Sequence, residues 1–141
     1  MRYLMTIMSD PQDEAAGEYE APPEVYEEMA NYNEKMSRSG VLVTGEGLLS
    51  TSEGAEVAFR DGRAEVFDGP FTEAKEFIAG YWVLDVASKE EAIAWARRCP
   101  HPPQGELRLQ LRRIAELDDL DEMPEELKER ERQLRAQGQG I

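Results

Sequence analysis

From Phe77 to Ala87 the chain reads FIAGYWVLDVA, and this stretch limits the possible folds more than any other. Along a strand, successive side chains go to opposite faces of the sheet. Even alternation puts Ile78, Gly80, Trp82, Leu84 and Val86 on one face, and Phe77, Ala79, Tyr81, Val83 and Asp85 on the other. Both faces then carry large apolar groups, so both must be covered. Helices of the same chain cover one face. An apolar face left open is a partner site, and a second copy is the simplest partner. The strand therefore predicts a homodimer joined through the open sheet face.

The segments around it supply the rest of the plan. RYLMTIM reads as a first strand with two largely apolar faces. SDPQDEAAGEYEAPP has loop composition. A helix is expected from Pro23 or Glu24, with Val25, Met29, Tyr32 and Met36 in one stripe and Gly40 as its stop. VLVTGEGLLS is a strand with a Gly-Glu-Gly interruption. AEVAF and AEVF flank Arg-Asp-Gly-Arg as a hairpin around Asp61-Gly62. Ser88 and Glu91 form a capping box for a second helix, whose apolar side is Ala92, Trp95, Ala96 and Cys99 and which Pro100 ends. ELRLQLRRI is the last strand, with Leu107, Leu109 and Leu111 opposite Arg108, Gln110 and Arg112. Without the hairpin the order is βαββαβ, a ferredoxin-like α+β plan with both helices on one face of an antiparallel sheet. This domain spans residues 1–114. Residues 115–141 form a charged tail, helical after Pro124, with Leu120, Met123, Leu127 and Leu134 as a thin apolar stripe.

Charge and composition remove several function classes. The net charge is −14, and Asp10 to Glu28 holds eight acids and no base. Nucleic acid demands clustered Lys and Arg, so direct nucleic-acid binding is disfavoured. No apolar run approaches the roughly 18 residues of a membrane span, and the N-terminus reads as a strand rather than a signal peptide, so a cytoplasmic protein with no membrane partner is expected. One cysteine, Cys99, allows neither an intrachain disulfide nor a CxxC metal site, and reads as a small core residue. No metal-binding spacing and no phosphate loop is present, so neither a metal nor another cofactor is expected.

The most distinctive stretch is DGPFTEAKEFIAGYW, residues 68–82. Asp68, Gly69 and Pro70 have turn composition, and Phe71 would anchor that turn. Thr72 is placed to cap one helical turn. Together with GVLVTGEGL and the DGR hairpin, this stretch resembles the DGPF-type members of the YCII-related domain family, over about Arg2 to Ile114. The resemblance implies a ferredoxin-like dimeric α/β-barrel. It also implies two different functions. YCII-related domains are suspected enzymes, many with a His and an Asp in a pocket between helix and sheet. DGPF-type proteins are often encoded beside extracytoplasmic-function sigma factors, which suggests an accessory or regulatory role.

Candidate chemistry rests on few groups. Glu46 lies between Gly45 and Gly47, either in a pocket or on an edge strand facing water. Glu76 directly precedes the long strand; on the open face it would join Glu46 as a carboxylate pair able to split acid and base roles. His101 is the single histidine, the residue type suited to general-base work near neutral pH, but it lies in the loop CPHPPQG, and the family's histidine occupies another place in the chain. Glu46, Glu76 and His101 are the catalytic candidates. Asp68, Phe71, Tyr81 and Trp82 are the binding candidates, with one of the two aromatics in the core. Two functions follow: a small-molecule-binding protein or acid/base enzyme with a pocket between sheet and helices, or a non-catalytic partner of a sigma factor.

Overall fold

A computed structural model describes residues 1–16 and 22–138. In chain order the elements are β1 (Arg2–Ser9), α1 (Pro11–Ala16), α2 (Pro23–Arg38), β2 (Leu42–Gly47), β3 (Ala55–Arg60), β4 (Arg63–Asp68), β5 (Phe77–Asp85), α3 (Lys89–Arg97), β6 (Arg108–Arg113) and α4 (Glu125–Ala136). The architecture is mixed α+β. Four strands form one sheet in the order β2-β5-β1-β6, with every neighbouring pair antiparallel. Strands β3 and β4 form a separate hairpin.

The stretch after β1 is only partly loop. Asp10 accepts a hydrogen bond from the Asp13 N–H at 2.8 Å and caps α1. Pro11 suits the first helical position. The rest of that stretch, residues 17–21, lies outside the described residues. Helix α2 starts at Pro23 as expected. It ends where Gly40 takes φ +73°. That value is left-handed, and a Cβ would penalise it. At α3 the Ser88 hydroxyl accepts from the Glu91 N–H at 3.1 Å, while the Glu91 carboxylate reaches the Ala87 N–H at 2.7 Å.

Helices α2 and α3 share one sheet face. Tyr32 and Met36 from α2 meet Ala92 and Trp95 from α3 over Tyr3, Met5, Trp82 and Leu84. The Tyr32 hydroxyl donates to the Trp95 carbonyl at 2.6 Å, tying the helices together, and burial raises its pKa. Tyr32 stands edge-on to Trp82, with ring centroids 5.8 Å apart, one of the arrangements that aromatic pairs prefer. The Trp82 indole donates to Asn33 Oδ1 at 2.8 Å. Trp82 is therefore a core residue, held by both a ring contact and a hydrogen bond. Met5, Met36 and Leu84 are fully buried in the same layer. This corrects the expectation of a pocket between sheet and helices: those side chains fill that space, and pleating sends Glu46 and Tyr81 to the other face.

Even alternation fails at one end of β5. Ile7 pairs with Gly80, but Met8 pairs with Ile78, so Ala79 is an extra residue, a β-bulge. The bulge exchanges the faces of the two preceding residues. Phe77 becomes buried, and Ile78 is 47% exposed. A second irregularity at Val43 does the same work on β2.

The tail forms a helix after Pro124, as read from the sequence, but its sidedness differs. Lys128 is buried, and Glu131 and Arg135 are half-buried, while Leu120, Leu127 and Leu134 are exposed. Arg2 Nε donates to Glu116 at 2.8 Å, and Arg135 approaches the same carboxylate at 3.6 Å. Polar contacts rather than the leucine stripe thus link the tail to the sheet. No helix among the described residues is long and apolar enough to cross a membrane.

The Arg2 hydrogen bond holds the Glu116 carboxyl below its ordinary value of 4.5. A lowered carboxylate pKa contributes stability that is present above the unfolded value and lost as pH falls through the folded one. Glu116→Gln should therefore flatten the loss of stability below pH 4.5. Urea midpoints measured across that range test this, and parallel curves for variant and wild type would refute it.

Candidate functional site

The DGPF stretch is built into a structural node. Gly69 N–H donates to the Gly54 carbonyl at 2.9 Å, and Phe71 N–H to Thr51 Oγ1 at 3.1 Å. A Cβ on Gly69 would lie 1.7 Å from the Thr51 carbonyl oxygen, a backbone atom that cannot move aside cheaply. Residues 51–53 form a single 3-10 turn that Ser50 caps. Glu14 of α1 completes the node: its carboxylate accepts from the Thr51 N–H and from the Ser50 hydroxyl. Hydrogen bonding by the Thr51 side chain, then by its N–H, lowers the Glu14 pKa. Asp68 ends β4 opposite Ala55 and is exposed. Phe71 is half-buried against the Gly54 turn. Residues 71–74 then make one β-turn, closed by Ala74 N–H to the Phe71 carbonyl at 3.2 Å, in place of the expected capped helical turn. Asp68, Gly69, Pro70 and Phe71 thus fix the root of the hairpin.

The second arrangement lies on the sheet face opposite α2 and α3. Glu46 pairs with Tyr81, Tyr81 with Thr6, and Thr6 with Gln110. Paired residues project to the same side, so these four form a polar row across all four strands. Thr6, at the centre, is only 6% exposed, and Glu46, at the edge, is exposed. One row away, Thr44, Val83, Leu4 and Arg112 are in register, and on the other side Ile78, Met8 and Arg108. The face has an acid at its β2 edge and two arginines at its β6 edge. Gly45 and Gly47 flank Glu46 for different reasons: a Cβ on Gly45 would lie 2.6 Å from the Trp82 ring, whereas one on Gly47 would meet open space.

Glu76 occupies a third location. It forms an ion pair with Arg108 and, with Met8, Ser9, Asp10, Asp13, Lys75, Glu106 and Arg108, lines a cleft of about 220 Å³. Both partners of the ion pair are more than a third exposed, so it contributes little to stability. Glu46 is not among the residues lining the cleft, and His101 belongs to neither arrangement. The imidazole Nδ1 lies 2.9 Å from the Cys99 carbonyl. A carbonyl only accepts, so Nδ1 carries the proton. Cys99 is buried, and desolvation pushes its thiol up to about 11, which leaves it unreactive near neutrality. Among the described residues, no three His, Cys, Asp or Glu side chains come together as a cation site.

Sequence reading placed Tyr81 opposite Trp82 but missed Thr6 and Gln110. Alternation in RLQLRR put Gln110 beside Arg108 and Arg112; only the register with β1 shows which face they share with Tyr81.

These observations define a mixed α+β domain with α2 and α3 on one sheet face and a mixed polar and apolar surface on the other. The chain belongs to the YCII-related domain family, whose model matches residues 1–114. It is also 30% identical over 97 residues to an uncharacterised protein of Rhizobium meliloti (strain 1021), a match covering 69% of this chain and 78% of that one. The tail, with α4, lies outside the family match.

Proposed function

We propose that the chain is a ferredoxin-like, dimeric α/β-barrel protein that binds a small polar or aromatic molecule on its open sheet face. The observation that carries this reading is the row Glu46–Tyr81–Thr6–Gln110, which runs across the one face that α2 and α3 leave free. A second copy stacked on that face would enclose two such rows. With a two-fold axis parallel to the strands, the β2 edge of each copy lies over the β6 edge of the other. Glu46 of one copy then faces Arg108 and Arg112 of the second, a complementary pairing of charge. Enclosure removes water, which strengthens hydrogen bonds to a ligand. In this arrangement Glu46 is the proton acceptor and the Tyr81 hydroxyl a donor to the ligand, with Glu76 at the margin on Arg108.

Thermal stabilisation across a metabolite panel tests the reading, because a ligand that binds only the native state raises the melting temperature. Glu46→Gln and Tyr81→Phe should each abolish a hit that Glu76→Gln leaves in place. A hit sensitive only to Glu76→Gln would move the site to the cleft. Light scattering showing a monomer at micromolar concentration would refute the pairing.

A second reading, an accessory partner of a sigma factor, is favoured by the structural use of Gly69 and Phe71, whose backbone N–H groups bind the turn at residues 51–54. The acidic chain would then meet a basic partner. A pull-down that recovers no sigma factor would count against it.

A further inference from the structure

We propose that the cleft beside Glu76 binds a small diamino acid, a molecule with one carboxylate and two ammonium groups. This site is separate from the row on the open sheet face, and the inference does not depend on that row.

The cleft lies where three strands meet at one end of the sheet. Ser9 ends β1 and pairs with Phe77 at the start of β5, and Met8 pairs with Arg108 at the start of β6. The chain just outside each strand brings the charges. Asp10 follows β1, Lys75 and Glu76 precede β5, and Glu106 precedes β6. Asp13 comes from α1. Together they surround a space of about 220 Å³ with Met8 on its wall. A water takes about 30 Å³ of liquid, so the space holds about seven waters, or one molecule of about ten non-hydrogen atoms.

The chain uses only part of this charge itself. Arg108 is engaged: it forms an ion pair with Glu76, and its Nε lies 3.9 Å from Glu106. One Asp10 oxygen accepts from the Asp13 N–H. Lys75 differs. Among the described residues it has no ion pair, although it shares the cleft with Asp10 and Asp13, which have none either. An ammonium and two carboxylates that line one space without meeting suit a molecule that carries both signs of charge.

The balance of charge sets the class of that molecule. Glu76 and Arg108 neutralise each other, which leaves Asp10, Asp13 and Glu106 against Lys75. A simple zwitterion would not change this acidic excess. A second ammonium reduces it. A single metal ion is a poor match, because among the described residues no three acidic side chains converge as cation ligands. Carboxylates spread along a cleft fit two ammonium groups held apart by a short aliphatic chain. The ligand carboxylate then accepts from Lys75, one ammonium donates to Asp10 and Asp13, the other donates to Glu106, and Met8 packs against the methylenes.

NMR titration of the full chain with L-lysine and L-ornithine tests the site. Amides of residues 8–10, 75–76 and 106–108 should shift and saturate at millimolar ligand. Cadaverine lacks the carboxylate and L-norleucine lacks the second ammonium. Each should bind about tenfold more weakly, the effect of losing one charged hydrogen-bonding partner. Lys75→Met and Asp13→Asn should each weaken L-lysine binding to a similar degree. Glu56→Gln, which removes one charge from the hairpin, should stay within about twofold, as for other surface changes. Cadaverine binding as tightly as L-lysine, with no effect of Lys75→Met, would show a cleft that merely gathers cations and would overturn the assignment. The absence of saturable shifts, or saturable shifts confined to residues 44–47 and 81 on the open face, would overturn the site.

Discussion

Replacing Trp82 by alanine is expected to lower the unfolding free energy by about 3–5 kcal/mol, a large part of the roughly 5–15 kcal/mol that holds a small domain together. The indole is buried between the sheet and α2. It stands edge-on to Tyr32 and donates to Asn33. Truncation removes the apolar burial, leaves a cavity and strips Asn33 of its partner, and these losses add. Gly45 supplies an internal check. Its missing Cβ makes room for the Trp82 ring, at 2.6 Å from where that carbon would be. Gly45→Ala should therefore cost about 1–3 kcal/mol in the wild type, the usual range for overpacking, and far less in the Trp82→Ala background. Urea unfolding of both single variants and the double variant measures this. Strict additivity would mean that Gly45 and Trp82 do not share space.

Gly69→Ala is the second large effect, expected at about 2–3 kcal/mol. The reason is local and of a different kind. The added carbon would meet the Thr51 carbonyl, part of a capped turn that also bonds Phe71, Gly54 and Glu14. Either the turn at 51–54 or the one at 69–71 must give way. Gly47→Ala is the natural control, since open space surrounds that position. Hydrogen exchange should localise the Gly69→Ala damage to the hairpin root before the sheet. A stability change under about 0.5 kcal/mol, the level of ordinary surface substitutions, would show that the node yields easily.

The elements were largely legible in the sequence because each carries its own local chemistry. The stripe from Val25 to Met36, the Ser88 cap, the Asp61-Gly62 turn and the alternation in RLQLRR all correspond to elements seen in the structure. Less legible was anything that depends on distant partners. Helix α1 hid in a stretch of acids and prolines, where the cap Asp10 and the first-turn Pro11 were its local signals. The structural use of Asp68 to Phe71 rests on Thr51 and Glu14, far away in the chain. For the site, the residue types were visible and their grouping was not. Glu46 and Glu76 are both exposed carboxylates near β5. Register sets Glu46 beside Tyr81, and the Arg108 ion pair draws Glu76 into a separate cleft. The leucine stripe of α4 misled because Arg2, Glu116 and Arg135 link the tail through charge.

The bulge at Ala79 gives this end of β5 a tolerance for a change in length. Remove one residue between Ile78 and Gly80, and even alternation returns. Phe77 would still pair with Ser9 and Ile78 with Met8, so each would keep its face, and Trp82 and Leu84 would stay where they are. Insertions and deletions are ordinarily tolerated in loops and rejected in strands as register errors along the whole strand. Here Ala79 stands outside the pairing, so its loss would make no such error. The open face could thus keep the shape it presents to a partner or ligand through a one-residue deletion at this point, a change that elsewhere in the strand would turn side chains over.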